Sequence, residues 1–304
     1  MQVIHLLIHV VLMIAMPPLL LGVIVKTKAA FAGRVGPPVL QPYFDLIKLL
    51  QKGSVISTTT TWVFFAGPVV ALATAFVAGL VVPFGGHPAP ISFEGDLILL
   101  AYLFALGRFF TALAALDTGS SFEGMGAARE VTFSCLAEPA LFFGLLILAK
   151  LSQSLSLTGM LAGSLTAAWG IGGASLVLMA VSLFIVILVE NSRIPFDDPA
   201  THLELTMIHE VMVLDHSGPA LGMILYGAAL KLFLIGAVLL RILVPIDSGS
   251  PWIDWGCFVV GMPLLAVFIG VVESTMARLP LINIPRILIA ACLLSAFGLI
   301  LLVK

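Results

Sequence analysis

The chain has 304 residues, of which 61% are hydrophobic and 10% charged, with a formal net charge of −2, whereas soluble domains carry about 25% charged residues. Fourteen basic and sixteen acidic side chains cannot keep a soluble globule of this length dispersed, and they offer no basic excess for a phosphate backbone. Soluble enzymes, disordered chains and nucleic-acid binders are thereby excluded, and a mean hydropathy of +1.18 predicts an all-α, polytopic integral membrane protein forming one membrane domain over 1–304.

Eight continuous apolar runs, each close to the roughly 20 residues a bilayer core requires, lie at about 3–25, 62–82, 97–116, 131–150, 174–190, 219–244, 253–275 and 284–303. Barrel strands would alternate instead. The first run lacks a basic segment ahead of it, since Lys26 and Lys28 follow, so it reads as a retained helix rather than a signal peptide. Within the loop 26–61, residues 40–52 set Leu46, Ile47, Leu49 and Leu50 against Asp45, Lys48 and Lys52, the pattern of a short helix lying in the membrane interface. The turns at 85–88 and 247–251 are short and rich in Gly, Pro and Ser. The polar island 191–218 has a helix start of its own, with Asp198 as N-cap and Pro199 at the first helical position, and the predicted helix runs to about Val213.

Basic residues cluster on one set of loops: Lys26, Lys28, Arg34, Lys48, Lys52, Arg129, Arg193, Arg278 and Arg286, against Lys150, Arg241 and Lys304 on the other set. The positive-inside rule then puts 26–61 and 191–218 in the cytoplasm and both termini outside. Cys135, Cys257 and Cys292 fall in apolar runs with no ligand spacing, so they read as small buried hydrophobes rather than ligands of iron–sulfur or zinc.

Ionisable residues inside spans cost about 2.5–3.5 kcal/mol each on insertion scales. Arg108, Glu138 and Lys231 lie within runs, and Glu130, Glu190 and Glu273 stand at helix ends on the loop-rich side. Glu190 and Glu273 read equally well as solvated ends, and Arg108 as a packing counter-ion for Glu138. Glu138, beside Pro139, reads instead as proton-linked, because burial lets a carboxyl exchange protons near neutral pH. His202, His209 and His216 recur every seven residues; on a helix two of them would share a face about 10 Å apart, too far to chelate one metal and suited to polar or proton-linked contacts.

The first loop reads Arg34-Val35-Gly36-Pro37-Pro38-Val39-Leu40-Gln41-Pro42-Tyr43-Phe44-Asp45-Leu46-Ile47-Lys48-Leu49-Leu50. The later loop begins Glu190-Asn191-Ser192-Arg193-Ile194-Pro195-Phe196-Asp197 and continues through Leu203-Glu204-Leu205 to Asp215-His216-Ser217-Gly218. In these motifs and their order the chain resembles the membrane subunit shared by respiratory complex I (its subunit 1) and the energy-converting NiFe hydrogenases. The compact Pro38-Val39 junction and the segments 117–120 and 126–130 look like the formate hydrogenlyase subunit 4 and hydrogenase-4 component C type. The quinone-using form tends to carry acids where this chain has Ala200 and His202.

The resemblance implies a non-catalytic membrane anchor in an oxidoreductase complex of the cytoplasmic (inner) membrane. It would dock NiFe hydrogenase-like large and small subunits and an iron–sulfur subunit on its cytoplasmic loops. It would also couple them to antiporter-like subunits that move protons or sodium. The nickel–iron and iron–sulfur centres would belong to those partners, and this chain would hold no cofactor. The carboxylate path proposed in the family falls on Glu130, Glu138, Glu190 and Glu204, with Glu273, Arg108 and Lys231 beside it. The docking motifs fall on Arg34, Gln41, Asp45, Lys48, Arg193, Asp197, Asp198, Glu210 and Asp215. A quinone-chamber subunit of a complex I-type NADH dehydrogenase is the alternative; an independent secondary transporter is a third reading, disfavoured because no internal repeat with paired interrupted spans is visible.

Overall fold

The computed structural model describes residues 2–161, 165–197, 207–246 and 248–303. Among these, every regular element is helical: α1 Gln2–Phe31, α2 Gln41–Gln51, α3 Trp62–Val81, α4 Asp96–Asp117, α5 Ser121–Ser152, α6 Leu157–Leu161, α7 Leu165–Glu190, α8 Gly218–Leu243, α9 Pro251–Thr275 and α10 Ile284–Val303. Eight of them, all but α2 and α6, are long and apolar enough to cross a bilayer. The all-α polytopic reading therefore holds, with the interfacial helix as α2.

α8 is the hub. In its most apolar stretch 72% of residues are buried, against 22% in α10 at the periphery. Apolar on every side, it packs against α1, α2, α3, α7 and α9. The hairpin α3–α4 closes one flank; α5, α7 and α10 form another, and α1 pairs with α9. Close approach of α3 to α4 depends on glycine: a Cβ on Gly67 would stand 2.7 Å from that of Ala114, and one on Gly107 2.7 Å from Thr74 Oγ1.

Several helices outrun their apolar cores. α1 continues past Lys26 and Lys28 because Lys28 pairs with Glu273 at 2.8 Å. α5 begins at Ser121 rather than near 131, because its polar first turns are covered by protein: Glu123 and Glu130 are both buried. α7 starts at Leu165 with a kink at Gly172. The described loop residues 52–61, 191–197, 207–217 and 276–280 meet at one end, through Val55 with Ser217 and Pro195 with Leu279. The connections 82–95 and 153–160 meet at the other, through Ala89 with Thr158 and Ser92 with Ser156.

Two expectations change. The helix start at Asp198-Pro199, together with His202 and Glu204, lies outside the described residues, but no α-helix reaches Val213. Residues 207–209 are irregular and Glu210–Val213 is a single 3-10 turn, because Asp197 draws the backbone N–H groups of Ile208 and His209 to its carboxylate. The shared face of His202 and His209 lies outside the described residues. The cysteines are free but not buried, Cys135 being exposed and the other two half-buried. Cys135 faces outward from α5, whereas Cys292 packs in part against Ala140, Val186 and Ala291.

Candidate functional site

Arg108 on α4 gathers three carboxylates. Its Nη1 donates to Glu138 Oε1 at 2.6 Å, and its Nη2 donates to both oxygens of Glu190 at 3.1 and 2.8 Å. Its Nε stands 4.0 Å from Glu130. Lys231 of α8 donates to Glu190 Oε2 at 2.5 Å and to the Glu190 carbonyl at 3.1 Å. Glu190, the last residue of α7, thus shares one carboxylate between two cations from different helices. Three carboxylates against two cations leave the group one positive charge short of neutral, and a proton on any one carboxylate restores balance.

Glu130 is not at a helix end, as expected, but nine residues inside α5, where it is buried near Arg108. Glu138 departs from expectation in the other direction. Its side chain is 39% exposed, while those of Arg108 and Glu190 are 11% and 6%. It opens onto a lateral cavity of about 200 Å³ lined by Tyr102, Ala105, Leu141 and Phe142 together with Arg108 and Glu190. A second, inner cavity of about 80 Å³ is lined by Thr74, Thr111, Glu130, Glu190, Lys231, Asn191, Ser192 and His209. Arg108 and Glu190 line both. Glu130 therefore belongs to the inner chamber and Glu138 to the lateral one.

A second ionic group lies at the loop end and has a different character. Glu273 bridges Lys28 at 2.8 Å and Arg193 at 3.5 Å. Asp197 accepts from Arg278 at 3.2 Å and from two backbone N–H groups. Burial pulls the Arg193 guanidinium below its usual range, and the Glu273 carboxylate draws it back up. With Leu279 N–H donating to Pro195 O at 2.8 Å, these contacts clamp the segment 191–197 onto α1, α9 and the loop after α9. Arg193 and Asp197 thus act inward, and Asp197, 1% exposed, cannot serve as a docking carboxylate. Its two oxygens are used up in holding the fold.

The remaining docking residues are placed as follows. Arg34, Asp45, Lys48 and Asp215 are exposed, and Gln41 and Glu210 are half-buried. Gln41 donates to Asp45 within α2. Asp198 and Glu204 lie outside the described residues.

Two features escaped the sequence reading. Glu123, seven residues before Glu130 and on the same face of α5, is buried and accepts the Asp215 N–H at 3.0 Å; that seven-residue spacing was the available signal. At the far end, the rings of His5, His87 and Trp255 stack at centroid distances of 4.5 to 6.3 Å, and Trp255 donates to His5 Nδ1. Nothing local in the sequence joins residues so distant. Among the described residues no three His, Cys, Asp or Glu side chains are grouped to hold a metal ion.

The profile of the NADH dehydrogenase family matches residues 3–304. Formate hydrogenlyase subunit 4 of Escherichia coli (strain K12) is 32% identical over 300 residues, covering 94% of each chain. Hydrogenase-4 component C of the same organism is 30% identical over 91% of this chain and 88% of its own. One of the NADH-quinone oxidoreductase subunits of Verminephrobacter eiseniae (strain EF01-2) is 31% identical, over 75% of this chain and 69% of its own. Among solved structures, a chain of the membrane-bound sulfane sulfur reductase, an archaeal respiratory membrane complex, superposes with a TM-score of 0.83 and 98% coverage of both chains at 21% identity, a likeness of fold. On the full-length profile and these relatives, the chain belongs to the NADH dehydrogenase family.

Proposed function

We propose that this chain is the membrane-anchoring and coupling subunit of a redox-driven ion-translocating complex. It links a cytoplasmic NiFe hydrogenase-type arm to antiporter-like subunits that move protons or sodium. One observation carries the coupling role: Arg108 meets carboxylates that line two different cavities, Glu130 the inner one and Glu138 the lateral one. A proton shared by such a group can change partners as Arg108 and Lys231 redistribute. Lipid cannot solvate a half-exposed mid-span carboxylate, so the Glu138 face suits a neighbouring membrane subunit. The names of the two Escherichia coli relatives support the hydrogenase-type assignment. The quinone-chamber alternative draws on the NADH-quinone oxidoreductase relatives.

Glu138→Gln keeps size and hydrogen bonding but removes the titrating group. In sealed vesicles carrying the assembled complex, it should leave the subunits bound while abolishing ion uptake driven by electron transfer. Normal uptake would overturn the relay. The loops 26–61 and 191–218 are the proposed cytoplasmic dock for the hydrogenase-like and iron–sulfur subunits, with both termini outside the inner membrane. Cysteines placed at the exposed Val35 and Glu94 in a cysteine-free background should label from opposite sides of the membrane, Val35 from the cytoplasm. Labelling from the same side would sink the topology.

A further inference from the structure

We propose that His209 is the residue through which the inner cavity, and with it the Arg108 network, exchanges protons with the loop end of the protein. This rests on the relay reading and assigns its proton inlet.

His209 lines the same cavity as Glu130, Glu190, Arg108 and Lys231, and lies with Asn191 and Ser192 on the loop side of that cavity. It is half-buried. Two buried polar atoms in the lining, Arg108 Nε and Asn191 Oδ1, find no hydrogen-bond partner among the described residues. Buried polar atoms of this kind are ordinarily satisfied by water, and a volume of about 80 Å³ has room for a few molecules. A water-bridged path from the imidazole to the Glu130 carboxylate therefore fits the space.

The backbone carrying His209 is held from two sides. Asp197 accepts the N–H groups of Ile208 at 3.0 Å and His209 at 3.2 Å, and Arg129 donates to the Met207 carbonyl at 2.9 Å. The clamp that anchors 191–197 thereby also fixes where this ring sits. His216 offers the contrast. It is buried and stacked on Phe64 at 4.0 Å, and burial pushes its imidazole down to about 4, so it stays neutral and serves packing.

The step balances without any further reactant. One imidazole nitrogen can accept while the other donates. His209 takes a proton from loop-side water on one nitrogen and releases the proton of the other to cavity water, which passes it to Glu130. Tautomer exchange resets the ring.

The test uses the assembled complex in sealed vesicles, measuring the rate of ion uptake driven by electron transfer across pH. His209→Gln, which hydrogen-bonds but does not titrate, should lower uptake about a hundredfold, the lower end of what a positioned proton-transfer group contributes. His209→Ala should fall equally and recover when free imidazole is added, with a pH profile that follows the added base. Normal uptake in His209→Gln, or loss in His209→Ala that imidazole does not restore, would overturn the assignment. Glu138→Gln in the same vesicles separates the two failures. If it is inactive while His209→Gln is normal, only the inlet is wrong; if it transports normally, the relay itself falls.

Discussion

Two buried ionic groups lie within this one fold, and they are built differently. The Arg108 group has more carboxylate than cation, touches two cavities and includes a carboxylate 39% exposed. The Glu273–Asp197 group surrounds its carboxylates with cations and backbone N–H groups, and both carboxylate side chains are only 2% exposed. Charge buried in a membrane protein is thus no mark of coupling in itself. Excess carboxylate beside a cavity points to proton exchange, whereas carboxylates outnumbered by cations and packed on backbone N–H groups point to a clamp.

The largest effect that would break this comparison comes from Arg108→Gln. It strands three carboxylates with Lys231 alone, and losing one partner of a buried ion pair costs about 3–5 kcal/mol. The complex should fail to accumulate in membranes, and adding Glu138→Gln to the same chain should restore part of the lost amount. Wild-type accumulation of the single variant, by quantitative blotting and thermal unfolding in detergent, would show that the group does not hold the helices.

A smaller effect is expected at the clamp. Glu273→Gln leaves Lys28 and Arg193 facing a neutral amide and should lower stability by about 1.5–3 kcal/mol, the worth of hydrogen bonds to charged groups. Ion uptake per electron pair should stay unchanged in the complexes that do assemble. Uncoupling without loss of stability would put Glu273 in the relay and erase the distinction between the two groups.

The smallest effect is a pH dependence at the loop end. The neutral His216 ring is favoured in the fold, with its value lowered from 6.5 to about 4. The unfolded chain therefore binds the proton first as pH falls, and the stability contribution, complete above 6.5, is lost on acidification toward about 4. His216→Phe keeps the stack on Phe64 and should flatten this part of the stability-versus-pH curve. An unchanged slope would mean that other groups at the loop end produce it.

Much of the architecture was legible because each membrane helix satisfies its own backbone and must be apolar for its whole crossing. Eight runs, one amphipathic segment and the alternation of loops between two ends could be read from local residues alone. The candidate site was legible in part. Arg108, Glu138 and Lys231 stood out because charge in an apolar run is costly, and all three belong to one network. Whether Glu190 and Glu273 were solvated ends or buried partners could not be read, because helix position does not reveal what packs against it.

The sequence by itself thus determined the class, the number of spans and the identity of the costly charges, since these follow from hydropathy counted along the chain. Only the tertiary structure decided which charges share a cavity and which are locked in a clamp. Glu130 joined the network and Asp197 left the dock because partners from α4, from 207–209 and from the loop after α9 arrive across 11 to 81 residues of chain. At those separations no local pattern constrains who meets whom, and packing around α8 makes the choice.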